Sequence, residues 1–220
     1  MTNVTALPGL IQFGQASIKK ALEDCAADAD GGSLLAVDAT CGNGHDSLFL
    51  AKTLYELGAG GTGRLIALDI QQQALDNARQ LLAAHGVDRL AAFLLQSHAD
   101  LGPILENWQN RNDTHARPAA VMYNLGYLPG SDKQIITLSQ STLTSLETAT
   151  ENLGPKGLIS IHAYGGHPGG FQELEAVDAW CANLSPTDWT VARYSMHNKP
   201  RKPEALFLLQ RRTQHERRLA

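Results

Sequence analysis

Three groups of side chains in this chain are spaced for chemistry. The first is Val37-Asp38-Ala39-Thr40-Cys41-Gly42-Asn43-Gly44-His45-Asp46, which follows the apolar run Leu34 to Val37 and opens a helix-like segment. Small residues in a tight turn let a ligand lie against backbone at a strand end, where the first N–H groups of a helix lack partners. A second acid, Asp69, closes the next apolar run, Leu65 to Leu68, 25 residues beyond Gly44. That is close to the spacing at which an acid meets ribose hydroxyls in dinucleotide-binding folds. The turn reads C-G-N-G-H-D, so it lacks the G-x-G-x-x-G pyrophosphate pattern, and no Lys-Ser/Thr pair makes it a phosphate loop. Asp46 beside the turn is a poor neighbour for a pyrophosphate and a better one for a cationic or zwitterionic ligand. The pattern therefore points to a nucleoside cofactor carrying positive charge.

The second group follows the apolar run Ala119 to Tyr123 and reads Asn124-Leu125-Gly126-Tyr127-Leu128-Pro129-Gly130. Ligands bind beyond the carboxyl ends of parallel strands, which puts this loop beside the cofactor turn. Asn124 offers an amide carbonyl to an amine, and Tyr127 offers a ring to a base; an ordered Gly/Pro turn with Tyr127 closing the core is the structural alternative. Asp132 and Lys133 come next, either as a helix cap and a phosphate contact or as a surface pair. The third group, His162, Tyr164 and His167, clusters around another strand end. These are candidate substrate residues, although His162 can also satisfy its ring locally within the sheet. No partnered Cys/His pattern accompanies them, so no metal site is expected.

Positioning these groups requires alternating strands and helices. Apolar runs predict strands at 34–38, 64–69, 91–96, 119–124 and 157–163, with helices at 45–58, 72–85, 100–108 and 133–153 between them. In the second helix Leu75, Ala78, Leu81 and Leu82 share a stripe, and Gly86 supplies the stop. The alternation predicts a doubly wound α/β sheet. Beyond it, a helix at 171–183 leads to Trp189–Tyr194 and Ala205–Leu209, an antiparallel hairpin at a sheet edge; Pro200 and Pro203 oppose a helix between them. A helix over roughly 11–27 is expected to cover the cofactor side. The organisation reads as an N-terminal helical cap (1–30), one catalytic domain (31–210) and a basic C-terminal tail (211–220).

The formal net charge is −4, which gives no support for broad nucleic-acid binding by bulk charge. The end of the chain is locally basic, however, with Lys199, Arg201, Lys202, Arg211, Arg212, Arg217 and Arg218. Such a surface can meet a phosphate backbone, or it can be a solvated tail. Three cysteines form no disulfide pattern, and the start lacks the layout of a secretory signal. No segment approaches the roughly 20 apolar residues that span a bilayer. A cytoplasmic protein without membrane attachment is the expectation.

The turn D-A-T-C-G-N-G resembles motif one of Class I S-adenosylmethionine-dependent methyltransferases, with Thr40 in the place of the first glycine. Three blocks together are similar to a narrower family: V-D-A-T-C-G-N-G-H-D-S-L-F-L-A at 37–51, N-L-G-Y-L-P-G-S-D-K at 124–133 and G-H-P-G-G at 166–170. That family is the MnmM-type enzymes, first labelled ribosomal RNA methylases, which methylate the aminomethyl group of wobble uridine in tRNA. The resemblance runs from about residue 10 to 210. Ser47 stands where the family has threonine, and Gly165 where many relatives have a histidine.

The resemblance implies a Rossmann-like Class I fold, a seven-stranded, mostly parallel sheet with an antiparallel C-terminal hairpin and helices on both faces. It implies S-adenosylmethionine as cofactor, tRNA as partner and a homodimer. Asp38, Thr40, Gly42, Asn43 and Gly44 would border the methionine moiety, with Cys41, Asp46 and Ser47 also binding the cofactor. Asp69 would bind ribose, with Ile70 and Gln71 near adenine and His98 on the same side; Asp38 as a turn cap and His98 as a helix start are the alternatives. Leu128, Pro129, Gly130, Asp132, Lys133, His162, Tyr164, Gly169, Lys199 and Arg201 would meet substrate. In the implied reaction Asn124 orients the amine, Tyr127 positions the uracil and His167 helps remove a proton. A ribosomal RNA methyltransferase is the nearest alternative; a non-catalytic RNA-binding protein is a blander one. A nicotinamide-dependent dehydrogenase is disfavoured by the missing pyrophosphate pattern.

Overall fold

The computed structural model describes residues 8–28, 34–59, 63–112, 115–128, 136–198 and 203–213. Seven strands build its sheet: β1 (Leu35–Asp38), β2 (Arg64–Asp69), β3 (Ala91–Leu95), β4 (Pro118–Leu125), β5 (Leu158–Tyr164), β6 (Trp189–Tyr194) and β7 (Glu204–Arg211). Six helices separate or precede them: α1 (Leu10–Asp28), α2 (His45–Leu54), α3 (Gln72–Ala84), α4 (Leu101–Arg111), α5 (Ser139–Asn152) and α6 (Gly170–Ala182).

The strand order is β3-β2-β1-β4-β5-β7-β6. The first five strands run parallel, and β7 pairs antiparallel with both β5 and β6. Chain order reverses between β1 and β4, which opens the crevice where such sheets bind ligands. The hairpin forms as predicted, but its second strand is interior: β7 slots between β5 and β6, leaving β6 at the edge.

Strand periodicity divides the core. Leu35, Val37, Val121, Tyr123, Ile159 and Ile161 point to the face covered by α4, α5 and α6, together with Leu105, Leu146 and Val177. Ala36, Ala120, Met122, Leu158 and Leu206 point to the other face, against Ile18, Leu22, Leu50 and Leu82 of α1, α2 and α3. Both faces are apolar, so β1 is buried along its whole length. The one large polar group in the first cluster is satisfied: the Tyr123 hydroxyl and Ser145 Oγ lie 2.8 Å apart and hydrogen-bond. Among the described residues, no helix is long and apolar enough to cross a membrane.

One element differs from its sequence reading. The helix expected over 133–153 begins at Ser139, because Ile136 bridges to Tyr127 in an antiparallel step and Leu138 is extended. Asp132 and Lys133, expected at the start of that helix, lie outside the described residues. Helix α1 fulfils its expected place. Gly14 faces the sheet so closely that a Cβ there would lie 3.1 Å from Ser160 Oγ, and the next residue, Gln15, turns toward the strand ends.

Candidate active site

A cavity of about 890 Å³ runs along the carboxyl ends of the parallel strands. Its volume suits a nucleoside-sized ligand. Ile11, Ile70, Tyr127 and Leu138 are exposed around it, apolar surface of the kind a ligand covers.

At the β1–β3 end, one loop is fixed by hydrogen bonds from every side. Ala39 N donates to Met122 O at 2.9 Å and Cys41 N to Leu68 O at 2.8 Å, tying the loop to both neighbouring strands. Gly42 (φ 51) and Gly44 (φ 84) take left-handed backbone that other residues rarely adopt. A Cβ on Gly44 would also fall 2.6 Å from Ala78 Cα, so glycine lets α2 start against α3. Asp69 accepts from Gly42 N on one oxygen and from Gln71 N on the other, each at 2.9 Å. A carboxylate has further lone pairs, so Asp69 keeps acceptor capacity toward the cavity it lines.

Thr40, Cys41, Gly42, Asn43, Asp46, Asp69, Ile70, Gln71 and His98 all line the cavity. Asp38, Gly44 and Ser47 do not, although the sequence reading set them against the cofactor. Asp38 is 1% exposed, its carboxylate accepting from Ser47 Oγ at 2.6 Å and from Thr40 N at 3.3 Å. These three shape the loop from behind. Burial, reinforced by the charge of Asp46, holds the Asp38 carboxyl well above the usual carboxylate range. Burial also raises Asp69, against the hydrogen bonds from Gln71 and Gly42. The Cys41 thiol is pushed up by burial, so it is no nucleophile. His98, packed edge-on against Tyr123, is pushed down to about 4 by burial.

At the β4–β7 end the groups come from distant segments. Asn124 N donates to Thr40 Oγ1 at 2.7 Å, locking β4 to the turn. Asn124 Nδ2 donates to Asp46 Oδ2, and Gln15 Nε2 of α1 donates to Asp46 Oδ1 at 2.7 Å. Asp46 thus fixes the orientation of the Asn124 amide. The carbonyl Oδ1 of Asn124 is left without a partner among the described residues. Gln15 was not foreseen, since nothing in a helical stripe marks a residue for contact 31 positions away.

Tyr127, Leu128, Tyr164 and His167 also line the cavity. His167 meets Tyr127 edge-on with centroids 5.6 Å apart. Its Nδ1 lies 3.0 Å from Pro168 O, and its buried Nε2 faces the positions a Cβ on Gly126 or Gly170 would take. The ring supports the loop, and the proton-removing role expected of it loses its geometry. His162 and Gly169 stand behind the cavity wall; Gly169 (φ 80) starts α6. Pro129, Gly130, Asp132, Lys133, Lys199 and Arg201 lie outside the described residues. Arg193, on β6, meets Asp178 at 3.4 Å and lies over the Phe207 ring.

Glu173 was also missed. It is 2% exposed on α6 and accepts from Thr137 Oγ1 at 2.5 Å and Thr142 Oγ1 at 2.7 Å. Thr137 Oγ1 accepts from Gly126 N, and Thr137 N donates to Gly126 O, both at 2.8 Å. A buried acid thus anchors the loop after Asn124. A charge at a helical position reads as surface in sequence, so only its two threonine partners reveal it.

The strand order, the antiparallel seventh strand and the glycine turn at the β1 end define a Rossmann-like Class I methyltransferase fold. Residues 65–210 match the family described as "Putative rRNA methylase", and the chain belongs to that family. The chain is 39% identical over 178 residues to the chloroplastic tRNA (mnm(5)s(2)U34)-methyltransferase of Arabidopsis thaliana. That match takes in 80% of this chain and 62% of the relative, so the chain spans less than two thirds of it. Among solved structures, a "putative rRNA-methylase" from Clostridium thermocellum is 26% identical with a TM-score of 0.78, covering 94% of this chain and 100% of that one. A "putative methyltransferase" from Streptococcus mutans, in complex with SAH, is 25% identical with a TM-score of 0.73 and the same coverage.

Proposed function

We propose that the chain transfers a methyl group from S-adenosylmethionine to the amine of 5-aminomethyl-2-thiouridine at tRNA position 34. The observation that carries the reading is the Asn124 amide. Its nitrogen is spent on Asp46 and its carbonyl is left as a hydrogen-bond acceptor between the glycine turn and the Tyr127 loop. An amine acceptor has N–H groups to give to that oxygen; a hydroxyl has one and a ring carbon none.

The donor end fits the cofactor's chemistry. Asp69 suits ribose hydroxyls, and Ile70 and His98 suit the faces of a purine. Asp38 and Asp46, buried near each other, are relieved by a cationic ligand. When bound, S-adenosylmethionine supplies a methyl group activated on a sulfonium, so no covalent enzyme intermediate is needed. Asn124 holds the acceptor nitrogen, and Tyr127 offers its ring to the base.

The named relative from Arabidopsis supports tRNA as the substrate class. The same reading carries a basic tail that meets the tRNA backbone, a homodimer that extends this surface, and a reducing cytoplasmic setting suited to free Cys25, Cys41 and Cys181. Light scattering on the purified protein checks the dimer.

The deciding experiment supplies tRNA bearing 5-aminomethyl-2-thiouridine, then identifies the nucleosides by mass spectrometry. The expected product is 5-methylaminomethyl-2-thiouridine. Transfer to ribosomal RNA with none to this tRNA overturns the substrate assignment; no transfer to either overturns the activity.

A further inference from the structure

We propose that Glu204 is the catalytic residue that accepts the proton from the incoming ammonium, with buried His162 behind it as a positioning residue. The assignment rests on the amine-acceptor reading above.

An alkylamine meets the enzyme mainly as its ammonium, since its pKa is ~10.4. It has no lone pair until one proton leaves, so the acceptor end needs a group to take it. Three side chains there are candidates. Asp46 accepts from Gln15 on one oxygen and from Asn124 on the other, and losing the second bond would release the Asn124 amide. His167 has Nδ1 against Pro168 O and Nε2 packed toward Gly126 and Gly170. Glu204 lines the same cavity, and the side chain that its carboxylate meets is the His162 ring.

The position of Glu204 follows from topology. Because β7 runs antiparallel to β5, its first residue meets the last residue of β5: Glu204 pairs with Tyr164. One strand over, Asn124 pairs with His162. His162 is 4% exposed, neither of its ring nitrogens makes a hydrogen bond, and Nε2 stands 3.4 Å from Glu204 Oε2. An imidazole with both nitrogens unsatisfied, one of them facing a carboxylate on the cavity wall, has a use once that carboxylate gains a proton. Tyr164 stacks on the same ring with centroids 4.1 Å apart. The titratable groups facing this pair are Tyr164 on β5 and Asp46 on α2; both His162 and Tyr164 feel the charges of Glu204 and Asp46. Burial holds the imidazole neutral against those charges, which leaves a ring-nitrogen lone pair to accept a hydrogen bond from protonated Glu204.

The step balances. The Glu204 carboxylate takes one proton from R–CH2–NH3+, giving R–CH2–NH2 and a neutral acid hydrogen-bonded toward His162. The nitrogen lone pair forms the N–CH3 bond as the S–CH3 bond breaks, and that electron pair stays on sulfur. The secondary amine leaves as R–CH2–NH2+–CH3, and Glu204 returns its proton to water.

The test is the pH dependence of methyl transfer to an anticodon stem-loop carrying 5-aminomethyl-2-thiouridine, between pH 7 and 9. Wild-type turnover should be flat across this range. Glu204→Gln should lower it about 100-fold at pH 7 and restore about tenfold per pH unit, as solution rather than the enzyme deprotonates the amine. Glu204→Asp should retain the flat profile at a reduced rate, which a merely structural role would not produce. In parallel, binding of this stem-loop to the S-adenosylhomocysteine complex is compared with an unmodified stem-loop. Wild type should prefer the aminomethyl form by about tenfold or more, and Glu204→Gln should lose that preference. A wild-type rate that itself climbs tenfold per pH unit, or a Glu204→Gln loss equal at every pH, overturns the assignment while leaving the methyl-transfer reading intact. No transfer by wild type overturns both.

Discussion

The two ends of the cavity are built by opposite means. The donor end is centred on one local turn between β1 and α2, tied to β2 and β4 by hydrogen bonds, with Asp69 at the end of β2 and His98 beyond β3 completing it. The acceptor end is assembled from afar, with Gln15 from α1, Asn124 from β4, Tyr164 from β5 and Glu204 from β7 converging on one wall. A site made from one loop is rigid and recognisable. A site made from four segments depends on the contacts that join them, such as the two hydrogen bonds that Asp46 accepts from Gln15 and Asn124.

This contrast predicts that substitutions separate donor binding from methyl transfer. The largest expected effect is Asn124→Ala, which removes the acceptor carbonyl but leaves the turn. Methyl transfer should fall by at least about 100-fold while calorimetric affinity for S-adenosylmethionine stays within about threefold. Parallel losses of both would merge the two ends into one unit. Gly44→Ala attacks the donor end instead, combining strained backbone with a clash on Ala78. It should cost about 2–4 kcal/mol in chemical denaturation and abolish cofactor binding.

Thr137→Val leaves Gly126 N and one Glu173 oxygen without their partner. A loss of about 1–3 kcal/mol in stability is expected, with KM for RNA raised and cofactor affinity unmoved. Gln15→Ala frees one oxygen of Asp46 and should reduce kcat only about threefold to tenfold, the mildest of the acceptor-side changes.

The pH dependence of stability sharpens the comparison further. His98 is held down at about 4 in the folded protein, below the ordinary ~6.5 of imidazole. Its contribution is therefore complete above ~6.5 and lost as the pH falls toward about 4. Asp38 has the opposite sign. A raised folded-state carboxyl stabilises fully below its ordinary ~3.9 and loses that contribution as the pH climbs through the raised value. Thermal unfolding of the cofactor-free protein should thus show His98→Gln flattening the acid limb and Asp38→Asn the alkaline one. Identical limbs in wild type and variants would sink both assignments.

How much of this was legible in the sequence follows the same division. The strands were readable because parallel strands buried on both faces appear as short unbroken apolar runs, as in Leu65–Leu68 and Ala119–Tyr123. The donor turn was readable because its chemistry is contiguous. The start of α5 was misplaced because the pairing of Tyr127 with Ile136 overrides a helix-compatible stretch, and only tertiary contact reveals that. Asp38 and Ser47 were assigned to the ligand because spacing locates a strand end without telling which carboxylate faces out. Gln15, Glu173 and Glu204 carried no signal, since each acquires its meaning from a partner more than thirty positions away.

The interior place of β7 has a consequence for how the molecule comes into being. Of the seven strands it is the last to be synthesised, yet it holds β6 to the rest of the sheet and carries Glu204 to the cavity. A chain that has emerged only through β6 already contains every strand that flanks the donor turn, while the strand that completes the acceptor wall is still to come. Competence to bind the donor and competence to use it are therefore acquired at different moments, and the closing strand is the one that joins them.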